Sequence, residues 1–438
     1  MKLGELIGCH DCGRLYRRRP LAARERARCT RCACELYREQ GVAPAGQAEA
    51  MVALTLGALL VYLLAQLFPI VTLEMGGMSS GATLMQAVGV LWGENMQVIA
   101  AMVFLCAIAF PGLELGALLY LALGLMRRRR VRGFDMVLRI VQGARHWAMT
   151  EVLMIGILIT VIKMAGMARV LFHPGIFAFA ALTVLCALVM RFEPKALWTL
   201  ADRLVPRSPD ARLARSDPPA SFDAMVACHA CGLVNPDPDR ADQPEHGDHA
   251  GQHAHGAHCR RCGSALHRRI PNSIGWTWVM LGAATLLYIP ANILPVMYTY
   301  GITGSGGDTI MSGVALFWNT GSPGLAIIIF IASVVVPVSK LVALAWLNGS
   351  AQLRSRKAPL ARTRTYRVVE FIGRWSMLDI FVVTLTVALV RFDALAVITA
   401  GPGAIAFGCV VILTMVASSQ FDPRLIWDPI ESNGEHHV

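Results

Sequence analysis

A helix needs about 20 consecutive apolar residues to cross a hydrocarbon core of about 30 Å. This chain offers eight such runs, at roughly 51–73, 97–126, 148–170, 175–193, 274–297, 323–347, 375–395 and 398–420. In lipid, each spanning segment must satisfy its own backbone polar groups, so the expected fold class is an all-α polytopic membrane protein. Composition agrees: 55% of the 438 residues are hydrophobic and 16% are charged, against roughly 25% charged in a soluble domain. A net charge of +11 would suit nucleic acid if it formed one continuous face. The Lys and Arg residues instead sit in the N-terminal segment and between apolar runs, so no nucleic-acid partner is expected.

The same residues orient the chain. With eight spans, the N-terminal segment, Arg127 to Arg132, Lys195 to Arg215 and Arg354 to Arg374 fall on one side, which the positive-inside rule makes the cytoplasm, with both termini inside. The loops Glu74 to Asn95 and Tyr298 to Ser322 are Gly-rich, nearly free of basic residues and long enough to carry a docking surface. The first apolar run begins near Met51, behind a basic cysteine-containing segment, so no cleavable signal peptide is expected.

The chain repeats itself. Cys9-x-x-Cys12 and Cys29-x-x-Cys32 return as Cys228-x-x-Cys231 and Cys259-x-x-Cys262, Leu67-Phe68-Pro69 as Ile293-Leu294-Pro295, and Leu91-Trp92 as Phe317-Trp318. Pro111 and Glu114 then match Pro337 and Lys340, the segment Trp147 to Glu151 matches Trp375 to Asp379, and Phe192-Glu-Pro-Lys195 matches Phe421-Asp-Pro-Arg424. Two tandem four-helix transmembrane units are expected, each preceded by a small zinc-ribbon-like module. The boundaries read 1–46, 47–205, 206–272 and 273–438, and an even number of spans per unit makes the copies parallel.

Two Cys-x-x-Cys knuckles per module are the arrangement that presents four thiolates to a tetrahedral Zn²⁺. Cys9, Cys12, Cys29 and Cys32 form one expected set, and Cys228, Cys231, Cys259 and Cys262 the other. Modules this small cannot hold together by apolar burial alone, so bound metal would supply folding free energy. Disulfides or redox-active thiols are the alternative; a reducing cytosolic side and the lack of a βαβ context favour zinc. Cys34, two residues past Cys32, is a competing ligand or a bystander. The insertion Pro236 to His258, with His246, His249, His253, His255 and His258, is a solvated insertion or a weak metal store. Cys106, Cys186 and Cys409 lie in spans and read as small packing residues.

Polar residues inside spans are the candidates for mechanism. Lys340, Asp379 and Thr414 reach a similar depth, about 7–11 Å from the cytoplasmic end at 1.5 Å per residue. A Lys–Asp pair with a hydroxyl nearby is what a buried ion pair or proton relay requires; the simpler reading is snorkelling, which suits Lys better than Asp. The matching first-half positions are two acids, Glu114 and Glu151, which would share a proton if they met, or else point to different cavities. The second half is therefore the expected active one. Pro69 and Pro295 suit helix ends, whereas Pro337, one turn before Lys340, could open backbone beside the charged site.

Taken together, the tandem Cys-x-x-Cys modules, the Leu-Pro ends of the first span in each half, Pro337-Val-Ser-Lys340, Trp375-Ser-Met-Leu-Asp379-Ile-Phe and Phe421-Asp-Pro-Arg424 resemble the paraquat-inducible protein A family over nearly the whole chain. The His-rich insertion departs from the compact ribbon of that pattern. The resemblance implies a bacterial inner-membrane protein, not an enzyme, that moves phospholipid between the inner membrane and a periplasmic, tunnel-forming MCE-domain partner. It places Lys340 and Asp379 on the family's charged positions. No Walker-type phosphate loop is present, so energy would come from a separate ATPase or from a proton gradient coupled through Asp379 and Lys340. A membrane redox protein using the Cys-x-x-Cys pairs, an ion or small-solute transporter, and a structural anchor for a partner are the alternatives.

Overall fold

In this computed structural model, which describes residues 6–22, 25–38, 43–75, 78–165, 169–206, 225–237, 258–301, 304–321, 323–392 and 396–431, each apolar run contains a helix over most of its described residues. Two short hairpins come first: β1 (Leu6–Gly8) with β2 (Leu15–Arg17), and β3 (Arg26–Arg28) with β4 (Glu35–Arg38). The first half continues with α1 (Pro44–Leu67), β5 (Val71–Met75), β6 (Met78–Ala82), α2 (Leu84–Gly93), α3 (Gln97–Val103), a π-helical stretch Phe104–Ala109 and α4 (Phe110–Met126). It closes with α5 (Phe134–Trp147), α6 (Thr150–Ala165), β7 (Arg169–Phe172), α7 (Pro174–Val189) and α8 (Pro194–Leu204).

The second half runs in the same order. The hairpin β8 (Met225–Ala227) with β9 (Val234–Pro236) precedes α9 (Ser273–Ile293), β10 (Met297–Gly301), β11 (Gly304–Asp308), α10 (Ile310–Asn319), α11 (Pro323–Phe330), a π-helical stretch Ile331–Val335 and α12 (Val336–Gln352). Then come α13 (Pro359–Trp375), α14 (Leu378–Leu389), β12 (Arg391–Phe392), β13 (Ala396–Ala400), α15 (Pro402–Gln420), a 3₁₀ turn Pro423–Ile426 and α16 (Asp428–Glu431).

The recurring residues explain the recurring elements. Thr83 and Thr309 cap α2 and α10 with reciprocal hydrogen bonds to Gln86 and Ser312. Pro174 and Pro402 open α7 and α15 at their first turn, where a missing N–H costs nothing. Each π-helical stretch lies just before a proline, Pro111 or Pro337. Proline cannot donate to the carbonyl four residues back, and a widened turn re-registers the ladder around the gap. The Leu-Pro motifs sit where the backbone of α1 or α9 meets the start of α7 or α15. A Cβ on Gly175 would run into the Pro69 carbonyl, and one on Gly403 into that of Leu294.

Among the described residues, seven helical segments are long and apolar enough to cross a membrane: Pro44–Leu67, Gln97–Met126, Phe134–Met164, Ser273–Ile293, Ala326–Gln352, Pro359–Leu389 and Pro402–Gln420. The fourth expected span is α7, 16 residues long, which bends by 59° into the amphipathic α8. On α1, Leu56, Leu60, Leu63 and Leu67 face outward, as do Leu286, Ile289 and Ile293 on α9. Rows of exposed aliphatic side chains at helical spacing belong against lipid. The chain is a multi-pass membrane protein.

Two sequence expectations are corrected here. The run 148–170 ends in β7, and the segments assigned as 375–395 and 398–420 are separated by β12 and β13. These strands complete sheets at one end of the helices, with orders β6-β5-β7 and β11-β10-β13-β12. The Gly-rich loops Glu74 to Asn95 and Tyr298 to Ser322, to which the sequence assigned no secondary structure, contribute to hairpins, each followed by a short helix. The basic stretch Arg354 to Arg374 is largely the amphipathic helix α13, continuous with the apolar α14.

The halves meet along α14, which is almost wholly buried. It packs against α6 and α2 of the first half, with Gly156 so close to Phe381 that an added Cβ would lie 3.1 Å from the Phe381 Cβ.

Candidate functional site: two thiolate clusters and two unequal polar clusters

Each ribbon is built from knuckles in which the chain must reverse within one turn. In the first, the Cys9 N–H donates to the Arg14 carbonyl and the Gly13 N–H to that of Cys9, both at 2.9 Å; the same pair of bonds recurs around Cys29, Cys228 and Cys259. The reversal requires positive φ, supplied by Gly13 (78°), Gly232 (72°) and Gly263 (67°), and in the remaining knuckle by Ala33 (59°).

The geometry gathers Cys9, Cys12, Cys29 and Cys32 with their sulfur atoms within 4.8 Å of one another, and Cys228, Cys231, Cys259 and Cys262 likewise. All eight are buried. Hydrogen bonds from Cys12, then Cys34 and Cys9, hold the Cys29 thiol far below its ordinary range. Those from Cys231, Cys259 and Cys262 do the same for Cys228. Four convergent buried thiols, with Cys29 in one ribbon and Cys228 in the other held towards thiolate by their neighbours, fit one tetrahedral cation in each ribbon. Of the His-rich insertion, His246, His249, His253 and His255 lie outside the described residues, and His258 is exposed, its Nδ1 3.2 Å from the Gly263 carbonyl oxygen.

The ribbons dock crosswise. The first lies against the second transmembrane half, where its cysteines pack with Leu347, Ala351, Tyr366, Phe421 and Trp427. Arg367 of α13 pairs with Asp11 and donates to the Cys32 carbonyl at 3.0 Å, and Arg424 donates to the His10 carbonyl at 3.2 Å. The second ribbon lies against the first half: Gln142 of α5 donates to the Ala230 carbonyl at 2.8 Å, and Arg261 pairs with Asp202 of α8. Between them, Leu6, Leu15, Met225 and Val234 form a small shared core.

The polar residues of the spans separate into two clusters. In the first half, Glu114 does not meet Glu151 as a carboxyl pair. It forms an ion pair with Arg145 of α5, Nε to Oε1 3.5 Å, and Arg145 also donates to the Phe192 carbonyl at 3.0 Å. Cys186, read from sequence as packing only, lies beside Thr150 and within electrostatic reach of Glu114 and Glu151. Tyr62 donates to the Ile108 carbonyl at 2.7 Å, satisfying backbone in the π-helical stretch.

In the second half, Lys340 and Asp379 do not form the expected ion pair. Lys340 is 2% exposed and its Nζ has no hydrogen-bond partner among the described residues. It packs over Gly373 of α13, where a Cβ would lie 3.2 Å from the nitrogen. The Asp379 carboxyl faces Ser333 of the π-helical stretch, and its Oδ2 is shielded without a partner. Thr414 is buried and donates to the Val411 carbonyl at 3.0 Å. Tyr288, the counterpart of Tyr62, has a buried hydroxyl with no partner.

Arg145, Gly373 and Ser333 are the members that sequence reasoning missed. The repeat contained the signal for two of them: aligning Trp147 with Trp375 sets Arg145 opposite Gly373.

Comparison with known proteins gives this arrangement a family. The family model described as Paraquat-inducible protein A matches residues 48–202 and 274–431. "Intermembrane transport protein PqiA" of Escherichia coli (strain K12) is 31% identical over 429 residues, covering 96% of this chain and 95% of that protein. "Lipophilic envelope-spanning tunnel protein A" of the same organism is 28% identical over 98% of this chain and 92% of its own length. A "Probable intermembrane transport protein" of Haemophilus influenzae is 29% identical over 93% and 92%. No solved structure matches. With two matched segments that carry the two polar clusters, the chain belongs to the paraquat-inducible protein A family.

Proposed function

We propose that this protein is the inner-membrane component of an MCE-type lipid transport system, passing phospholipid between the bilayer and a periplasmic tunnel-forming partner. The four parts 1–46, 47–205, 206–272 and 273–438 then divide the work. Zinc-loaded ribbons and both termini lie in the cytoplasm, where a reducing environment keeps the thiols available, and the partner docks at the opposite end on the β-sheets. Zinc would brace each ribbon through Cys9, Cys12, Cys29 and Cys32, or through Cys228, Cys231, Cys259 and Cys262.

The observation that carries the reading is the unequal fate of the two polar clusters. In the first half Glu114 and Arg145 neutralise each other. In the second, Lys340, Asp379 and Tyr288 keep buried polar atoms without protein partners. Isolated charge in a low-dielectric interior is costly, and it is retained where it meets a proton or a charged cargo. Asp379 exchanges the proton, and Lys340 sets its affinity or receives an anionic headgroup. An apolar groove of about 570 Å³ along α12, lined by Val334, Val338, Val342 and Trp346, is suited to an acyl chain. The relatives' names, intermembrane transport and envelope-spanning tunnel, support the same direction.

The test is transfer of labelled phospholipid from proteoliposomes to the partner, with and without an imposed proton gradient. Gradient-dependent transfer is expected for wild type and absent in Asp379→Asn. Normal transfer by Asp379→Asn and Lys340→Ala proteins would return these residues to a structural role. Metal analysis finding iron in place of zinc would move the reading towards a redox protein.

A further inference from the structure

The ribbons share one plan but present different neighbours to their thiols: Tyr16 beside Cys29 where the second has Asn235 beside Cys259, and Cys34 where the second has Ser264. In the second, the Cys259 N–H donates to the Ser264 carbonyl at 2.8 Å; in the first, the Cys29 N–H donates to the Cys34 carbonyl at the same distance. Cys34 and Ser264 are therefore equivalent positions, each two residues after the last knuckle cysteine. The Ser264 hydroxyl lies 3.1 Å from the Cys228 sulfur and 3.0 Å from that of Cys262, as a hydrogen-bonding neighbour of the ligands.

Cys34 places a fifth sulfur in that position, 3.2 Å from the Cys9 sulfur. This is closer than Cys9 to Cys32 at 3.4 Å or Cys12 to Cys29 at 3.6 Å. A tetrahedral cation takes four ligands, so one thiol stays outside the coordination shell yet in contact with a member of it. Cys34 is buried, but its sulfur lies within 4.8 Å of the His10 imidazole, whose side chain is 52% exposed. A peroxide-sized molecule reaching His10 is thus one molecular length from Cys34.

We infer that Cys34 makes the first ribbon a site of reversible thiol oxidation, at which a hydroperoxide joins Cys9 to Cys34 and releases the metal, while Ser264 leaves the second ribbon resistant. The Cys9 thiolate attacks a peroxide oxygen, the O–O bond breaks, and hydroxide leaves, giving a sulfenic acid whose hydrogen comes with the transferred oxygen. The Cys34 thiol then attacks that sulfur; the S–S bond forms and water leaves. Two electrons pass from the two sulfurs to the peroxide, and one thiolate, one thiol and one hydrogen peroxide become one disulfide, one water and one hydroxide. The cation, now missing the Cys9 thiolate, is held by three ligands and dissociates. A small dithiol reverses the step by exchange.

The test uses the full-length protein in detergent, loaded with two zinc equivalents and treated with hydrogen peroxide. Zinc release is followed with a chromogenic chelator, and peptides are mapped by mass spectrometry. Wild type should release about half its zinc in an early phase, with Cys9 and Cys34 recovered as one disulfide-linked species and zinc rebinding after reduction. Cys34→Ser, which copies the second ribbon, should slow that phase about tenfold or more. Ser264→Cys should bring the second equivalent into the early phase, with the introduced thiol linked to Cys228 or Cys262. Early release unchanged in Cys34→Ser, or a linkage that omits Cys34 in wild type, would overturn the assignment. So would a loaded Ser264→Cys protein whose second ribbon stays resistant.

Discussion

Glu114 with Arg145, and Lys340 with Gly373, occupy matching places in the two halves, and they handle charge in opposite ways. The first half buries an anion and supplies its cation from the neighbouring helix, so the pair is closed. The second moves the cation onto the helix that held the anion and leaves a glycine where the arginine stood, so Lys340 has room but no partner. A repeated fold can thus keep one copy as a rigid frame and the other as a polarisable site, with changes at two positions.

The comparison is broken most directly by making the halves alike. Lys340→Glu with Gly373→Arg gives the second half the closed pair of the first. Lipid transfer should fall to that of protein-free vesicles while thermal unfolding is unchanged or raised; undiminished transfer would mean that the open charge has no role. Next in size is Arg145→Ala, which strands Glu114 in the interior. A loss of roughly 3 kcal/mol in unfolding free energy is expected, largely recovered in Glu114→Gln with Arg145→Gln, with transfer per folded molecule little changed. Gly373→Ala sharpens the comparison from the other side: its methyl group would displace the Lys340 amine, lowering transfer, while the gain in helix propensity of roughly 1 kcal/mol offsets the crowding and leaves thermal unfolding little changed. The smallest effect belongs to Ala33→Gly. It gives the first ribbon the glycine that the other three knuckles carry at positive φ. Relief of about 1 kcal/mol should appear as a several-fold tighter zinc affinity in chelator competition.

What the sequence revealed was what short-range chemistry dictates. Cysteine spacing predicted both thiol clusters because knuckle geometry is local, and apolar length located the long apolar helices but not short or amphipathic ones such as α2, α5, α8, α10 and α13. The strands β7 and β13 were absorbed into neighbouring spans because Arg169-Val-Leu-Phe172 and Ala396-Val-Ile-Thr-Ala400 are short and apolar, and such runs carry no period that separates strand from helix. The expected Lys340–Asp379 pair rested on equal depth along their helices. Depth does not determine the direction a side chain takes, and that was decided by the space over Gly373 and by Ser333. Arg145 lies between the apolar runs 97–126 and 148–170, outside every expected span. Only its tertiary contact with Glu114 makes it part of the site.

The crosswise seating of the ribbons also has a consequence for biosynthesis. The first ribbon leaves the ribosome ahead of every helix, yet its seat, formed by Arg367, Phe421 and Trp427, is translated near the end of the chain. Its apolar face therefore stays unsatisfied through insertion of the intervening spans. Its arrival on α13 is among the last events of assembly, and a chain that stalls in its second half exposes that waiting face to quality control.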